Sequence, residues 1–133
     1  MKFSDLVVDI QAQEEGQWFD HPRFRGVRVL VKHTRSKAYV RQQRALLDAF
    51  PLKRMKRSDV AVQTEYVHRY SLPWLVGGWT GIDDAEYSED VAKSWVNDDD
   101  LYAKTFDFWE GLFELAEEVG KRQLDAQKVV LGN

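Results

Sequence analysis

Along this chain hydrophobic positions alternate in one stretch and recur at three- and four-residue steps through most of the rest. Val27-Arg-Val-Leu-Val-Lys-His33 is β-branched and roughly alternating, the period of a half-buried strand. Gln17-Trp-Phe-Asp20 precedes it, and the turn residues Pro22 and Gly26 punctuate His21-Pro-Arg-Phe-Arg-Gly26 between the two. The pattern predicts an N-terminal β-hairpin over residues 16–34. Upstream, residues 1–15 hold a short apolar patch, Leu6-Val-Val-Asp-Ile10, which fits a short helix or a docking arm.

From Ser36 onward the spacing is helical. Ser36 is placed to cap a helix from Lys37 to about Phe50, with Tyr39, Leu46, Leu47 and Phe50 apolar and Pro51 as its stop. A second helix, capped by Ser58 or Asp59, carries Val60, Val62, Tyr66, Val67 and Tyr70 until Pro73 interrupts it. A short helix follows over residues 89–97, opened by Ser88 with Glu89 and Asp90 in its first turn. Asn97-Asp-Asp-Asp100 then stops it and caps the last helix, expected to run from Leu101 to Gly120 or beyond. There Leu101, Thr105, Phe108, Trp109, Leu112, Ala116 and Val119 form one stripe, widened by Tyr102, Phe106 and Phe113.

Between these helices lies Leu75-Val-Gly-Gly-Trp-Thr-Gly-Ile-Asp-Asp84. Gly77, Gly78 and Gly81 let the backbone turn sharply, and Trp79 is large enough to pin a loop by burying its ring. The stretch reads as a stapled corner between two helices. The expected fold is therefore mainly α (α+β): a small N-terminal β-hairpin, then four to five helices ending in a long amphipathic one. All of it is expected to form a single domain, with a helical body over residues 36–125 and a tail at 126–133 that frays.

Charge changes this picture more than composition does. The net charge of −3 hides blocks of −4 over residues 1–22, +11 over 23–57 and −10 over 58–133. Such segregation suits either an anionic partner or two faces that attract each other, within a chain or between subunits. In the basic block Lys37, Arg41 and Arg44 share a helix face, with Lys53, Arg54, Lys56 and Arg57 beside it. A nucleic-acid backbone would bind such a patch with a steep salt dependence. No recognition-helix or RNA-motif pattern accompanies it, so a protein partner ranks above nucleic acid. The chain has no cysteine, no apolar run near the ~18 residues of a membrane helix, and no signal-peptide core at its start. A soluble cytoplasmic protein is expected.

Reaction chemistry finds little footing. His21, His33 and His68 share no metal-ligand spacing. Ser71, Ser88 and Ser94 sit at or within helices rather than on a nucleophile elbow. Asp83, Asp84 and Glu86, and Asp98 to Asp100, lack the spaced ligands and glycine of a calcium loop, and Gly77-Gly78 lacks the lysine of a phosphate loop. The expectation is no enzyme, no cofactor and no metal. Five Trp, seven Phe and five Tyr are many for a core this small, so an aromatic patch is expected to be left over as an assembly surface.

Two stretches carry a resemblance. Glu14-Glu-Gly-Gln-Trp-Phe-Asp leads through a basic hairpin into a helix. Gly78-Trp-Thr-Gly-Ile-Asp-Asp is followed by Glu86-Tyr-Ser-Glu-Asp-Val-Ala92, a short helix and a terminal one. In order and spacing, over residues 14–125, the chain resembles small tailed-phage proteins of the tail assembly chaperone kind, encoded near the tape measure gene. The basic block at 53–57 falls outside that pattern. The resemblance implies a helical, non-enzymatic, self-associating protein that binds the tape measure protein during tail morphogenesis in the infected bacterium. The residues expected to meet a partner are Trp79, Ile82, Trp95, Trp109 and Phe113, with Arg41, Arg44, Lys53 and Arg54. The alternatives are a structural virion component, such as a head–tail or tail subunit, and a nucleic-acid-binding regulator that uses the basic block.

Overall fold

A computed structural model describes residues 1–3, 6–50 and 57–121. Helix α1 (Ile10–Glu15) leads into strands β1 (Gln17–Asp20) and β2 (Arg28–Val31), then helices α2 (Lys37–Ala49) and α3 (Arg57–Ser71). A 3-10 turn (Leu72–Leu75) enters strand β3 (Val76–Thr80), and helices α4 (Glu89–Asn97), α5 (Asp99–Lys104) and α6 (Phe106–Ala116) follow among the described residues. Lys53, Arg54 and Lys56 of the basic block, and the tail expected to fray, lie outside the described residues.

The first correction concerns the sheet. The hairpin forms, with Trp18 opposite Leu30 and Phe19 opposite Val29. It is not alone, because the expected corner after Leu75 is an edge strand, making an antiparallel sheet of order β1-β2-β3. Val29 pairs with Trp79, Leu30 with Gly78 and Val31 with Val76, so Gly77 is the extra residue of a bulge. Strict alternation would place Val76 and Trp79 on opposite faces. The bulge brings both onto the face that Val29 and Val31 bury. The paired glycines serve packing here rather than turning. A Cβ on Gly77 would stand 3.1 Å from Leu30 Cδ2, and one on Gly78 would stand 3.4 Å from the Trp18 ring. The positive φ in this region is at Gly81.

The second correction concerns the last helix. No long amphipathic C-terminal helix is seen among the described residues. The segment breaks at Thr105, whose hydroxyl donates to the Leu101 carbonyl at 2.7 Å, and α6 ends at Ala116. The expected stripe divides accordingly. Phe108, Trp109, Leu112, Ala116 and Val119 are buried, whereas Leu101 and Phe106 are exposed.

Helix starts follow local chemistry in three places, the first being Asp9 Oδ1 accepting the Ala12 N–H ahead of α1, and tertiary contact in a fourth. Ser88 Oγ accepts from the Val91 N–H, and Asp98 Oδ1 from the Leu101 N–H. Ser36 makes no such bond at the start of α2, where the Glu14 carboxylate accepts the Lys37 N–H at 2.9 Å instead. Ser58 and Asp59, expected as caps, lie inside α3. Helix α2 ends where the sequence places its stop, with Phe50 already extended at ψ 130 ahead of the proline. The core joins Val29, Val31, Tyr39, Leu72, Leu75, Trp79, Val96, Trp109 and Leu112 in one cluster. No helix among the described residues is long and apolar enough to cross a membrane.

Candidate binding groove

A groove of about 550 Å³ opens where the β1–β2 turn, the loop after β3, helix α4 and the α5–α6 junction meet. Its apolar lining comes from Phe24, Val27, Ile82, Trp95 and Phe108, and its rim from Asp83, Asp84 and Lys104. Gly81 seals one end. At φ 90 it lies against the Gly26 carbonyl so closely that any Cβ would collide with it.

Buried aromatics hold the groove in shape. Trp79 stacks on Trp95 with centroids 4.7 Å apart and meets Phe108 and Tyr87 edge-on. Its indole N–H donates to the Ala85 carbonyl at 2.7 Å, which ties the loop carrying Ile82, Asp83 and Asp84 to the core. Trp95 also meets Phe108 edge-on at 5.5 Å and Trp109 at 6.4 Å. Of the expected contact residues, then, Ile82 and Trp95 line the groove. Trp79 and Trp109 are core, supporting it from beneath. Phe113 is elsewhere, half-buried against His68.

His21 anchors the wall on the hairpin side. Its ring stacks on Phe108 at 5.1 Å, and its Nε2 lies 2.9 Å from the Phe108 carbonyl oxygen. Its Nδ1 accepts the Arg23 N–H at 3.1 Å. With Nδ1 accepting, the proton sits on Nε2 and is donated to the carbonyl, so the neutral ring satisfies both partners. Burial pushes the His21 pKa below the ordinary value and the Arg23 charge adds to this, while the Phe108 carbonyl opposes it. His33 repeats the arrangement, its Nδ1 accepting the Arg35 N–H at 2.9 Å. These rings brace turns and converge on no common point. Among the described residues no group of three His, Cys, Asp or Glu could hold a metal ion.

The charge blocks divide their work. Arg23 spends its charge within the chain, reaching Asp107, Glu110 and Glu114 of α6 at 3.3, 3.3 and 2.8 Å. The cations of α2 do not. Lys37, Arg41 and Arg44, with Arg35 just ahead of the helix and Val40 on it, line a second, smaller groove of about 310 Å³, and none of these cations is in an ion pair among the described residues. Asp83 and Asp84 on the first rim are likewise unpaired there, whereas Lys104 is held by Asp100 at 2.8 Å. Of the groove residues, Phe24, Val27, Asp83, Asp84, Lys104 and Phe108 were missed as contact residues by sequence reasoning. An aromatic between Pro22 and Gly26, with no inward position to fill in a turn, was the available signal for Phe24.

Fold and site together define a small α+β domain with an aromatic-walled apolar groove and a separate basic helix face. The chain matches no family model, no curated protein and no solved structure.

Proposed function

We propose that this chain is a non-enzymatic, protein-binding assembly factor of the tail assembly chaperone kind, which covers apolar stretches of the tape measure protein in the cytoplasm of an infected bacterium. The observation that carries the reading is the groove of Phe24, Val27, Ile82, Trp95 and Phe108. A helix presenting apolar side chains at three- and four-residue spacing fits such a groove, and basic residues beside that stripe meet Asp83 and Asp84. Each large apolar side chain so covered contributes roughly 1.5–3 kcal/mol before the costs of association. Two or three seated anchors contribute about 3–9 kcal/mol, of the same order as the cost of association, so the grip is weak and reversible.

Co-expression with the tape measure protein tests the reading. The wild-type chain co-purifies with it and raises its soluble yield, and Ile82→Asp, checked for native circular dichroism, loses both effects. A tape measure protein that neither co-purifies nor gains solubility removes the proposal.

A further inference from the structure

The groove has a second claimant on the molecule's own surface. Helix α2 buries Tyr39 and turns Val40 and Leu47 outward, 37% and 39% exposed. These two stand seven residues apart, about 10 Å along one helix face. Arg44 and Arg41 lie about 40° and about 100° round the helix from Val40, both exposed, with the exposed Asp48 between them. The outer face of α2 is therefore an apolar pair flanked on one side by two cations that make no ion pair among the described residues, with a single acid, Asp48, beside them. The groove is the converse, an apolar trough whose rim carries Asp83 and Asp84, which are unpaired among the described residues. The two surfaces are built from different elements, since α2 packs on α3 and the 3-10 turn while the groove belongs to the β1–β2 turn, the 81–84 loop and α4 to α6.

We infer that the outer face of α2 from one copy seats in the groove of a second copy, giving a head-to-tail assembly that occludes the groove until a partner displaces it. This rests on the groove being a helix-binding site, as proposed above. Val40 and Leu47 enter the trough, and Arg41 and Arg44 meet Asp83 and Asp84. Because the two surfaces differ, each added copy leaves one groove and one α2 face open, so the contact propagates rather than closing as a two-fold dimer. Exposed charges carry much of the recognition, so assembly weakens as salt rises.

Sedimentation of the full chain against concentration and salt tests this. The wild-type chain gains mass with concentration at low salt and loses it at high salt. Arg41→Glu/Arg44→Glu, with an intact groove, and Ile82→Asp, with an intact α2, are each monomeric alone. Mixed, they form a one-to-one dimer and nothing larger, because the remaining α2 face and groove are both damaged. Should Ile82→Asp fail to fold, the exposed pair Asp83→Lys/Asp84→Lys replaces it, and mixing with the α2 variant then restores assembly through reversed charges. A wild-type chain that stays monomeric at low salt overturns the inference, as does a mixture that remains monomeric or an α2 variant that assembles like wild type. So does retention of a nucleic-acid duplex through Arg41 and Arg44 with no self-association. Tape measure binding is read separately. A monomeric chain that still binds its partner sinks this inference and leaves the functional reading standing.

Discussion

His21 and Gly111 pack together only because Gly111 has no side chain: a Cβ there would stand 2.5 Å from His21 Cε1 and 3.1 Å from Pro22 Cγ. Replacing a helical glycine by alanine ordinarily stabilises by roughly 0.5–1 kcal/mol through the unfolded chain. In α6 that gain is opposed by overpacking against a ring already fixed by two hydrogen bonds, which costs about 1–3 kcal/mol. Overpacking wins. Gly111→Ala is expected to lower the denaturant midpoint, and a raised midpoint would show that His21 can swing aside.

The three histidines give stability a defined pH dependence. Burial is the leading cause that lowers His21, His33 and His68 from 6.5 on folding. Between the folded values and 6.5 the unfolded chain therefore holds more protons than the folded one, so stability rises with pH through that window. Their contribution is complete above 6.5 and is lost as pH falls from there through the folded values. Urea denaturation at about pH 8 and about pH 5 spans the change. The midpoint should drop at the lower pH, and His21→Asn, less stable throughout, should show a smaller drop. Equal midpoints at the two pH values would mean that the rings titrate alike in the folded and unfolded chains.

What was legible in the sequence was local. The strand period of Val27 to His33, the Ser88 and Asp98 caps and the stop ahead of Pro51 each depend on near neighbours. Strand β3 was illegible because Gly77-Gly78 reads as a turn, while its pairing with Leu30 and Val31 comes from more than forty residues away. The last helix was drawn too long because a continuous apolar stripe hides the break at Thr105, which leaves Leu101 and Phe106 facing outward. The groove was half legible. Ile82 and Trp95 stood out by size and setting, but Trp79 and Trp109 turned inward, and nothing local distinguishes an indole that lines a groove from one beneath it. The exposed cations of α2 were readable directly, since surface charge needs no packing to be placed.

The start of helix α2 separates sequence logic from structure. Ser36 has the right residue type and position for a cap, yet its Oγ is buried without a partner and the Lys37 N–H goes to Glu14. Glu14→Ala is therefore expected to cost about 0.5–2 kcal/mol, the usual cost of losing a cap. Ser36→Ala removes an unsatisfied hydroxyl and should be neutral or slightly stabilising. Ser88→Ala, which loses a bond actually made, should cost about 1 kcal/mol. Chemical denaturation of the three variants ranks them. A Ser36→Ala loss as large as that of Ser88→Ala would mean that Ser36 caps α2 in solution.

Arg69 fastens α3 to the junction of α4 and α5. Its Nε donates to the Val96 carbonyl at 2.6 Å, and its Nη2 lies 2.8 Å from Asp99 Oδ1, close enough to pair but not aligned as a hydrogen bond. The guanidinium lies between the rings of Tyr70 and Tyr102, 4.8 and 4.5 Å from their centroids. Its side chain is only 16% exposed, so the hydrogen bond and the stacking matter more than the contact with the solvated Asp99. Lysine keeps the charge but has no planar group to stack, and it cannot hold the carbonyl and the carboxylate at once. Arg69→Lys should therefore lose nearly as much stability as Arg69→Met, about 1.5–3 kcal/mol. Asp99→Asn should lose far less. Thermal unfolding of the three variants decides it: an Arg69→Lys chain as stable as wild type would show that charge alone, and not the flat fork between two tyrosines, holds the junction.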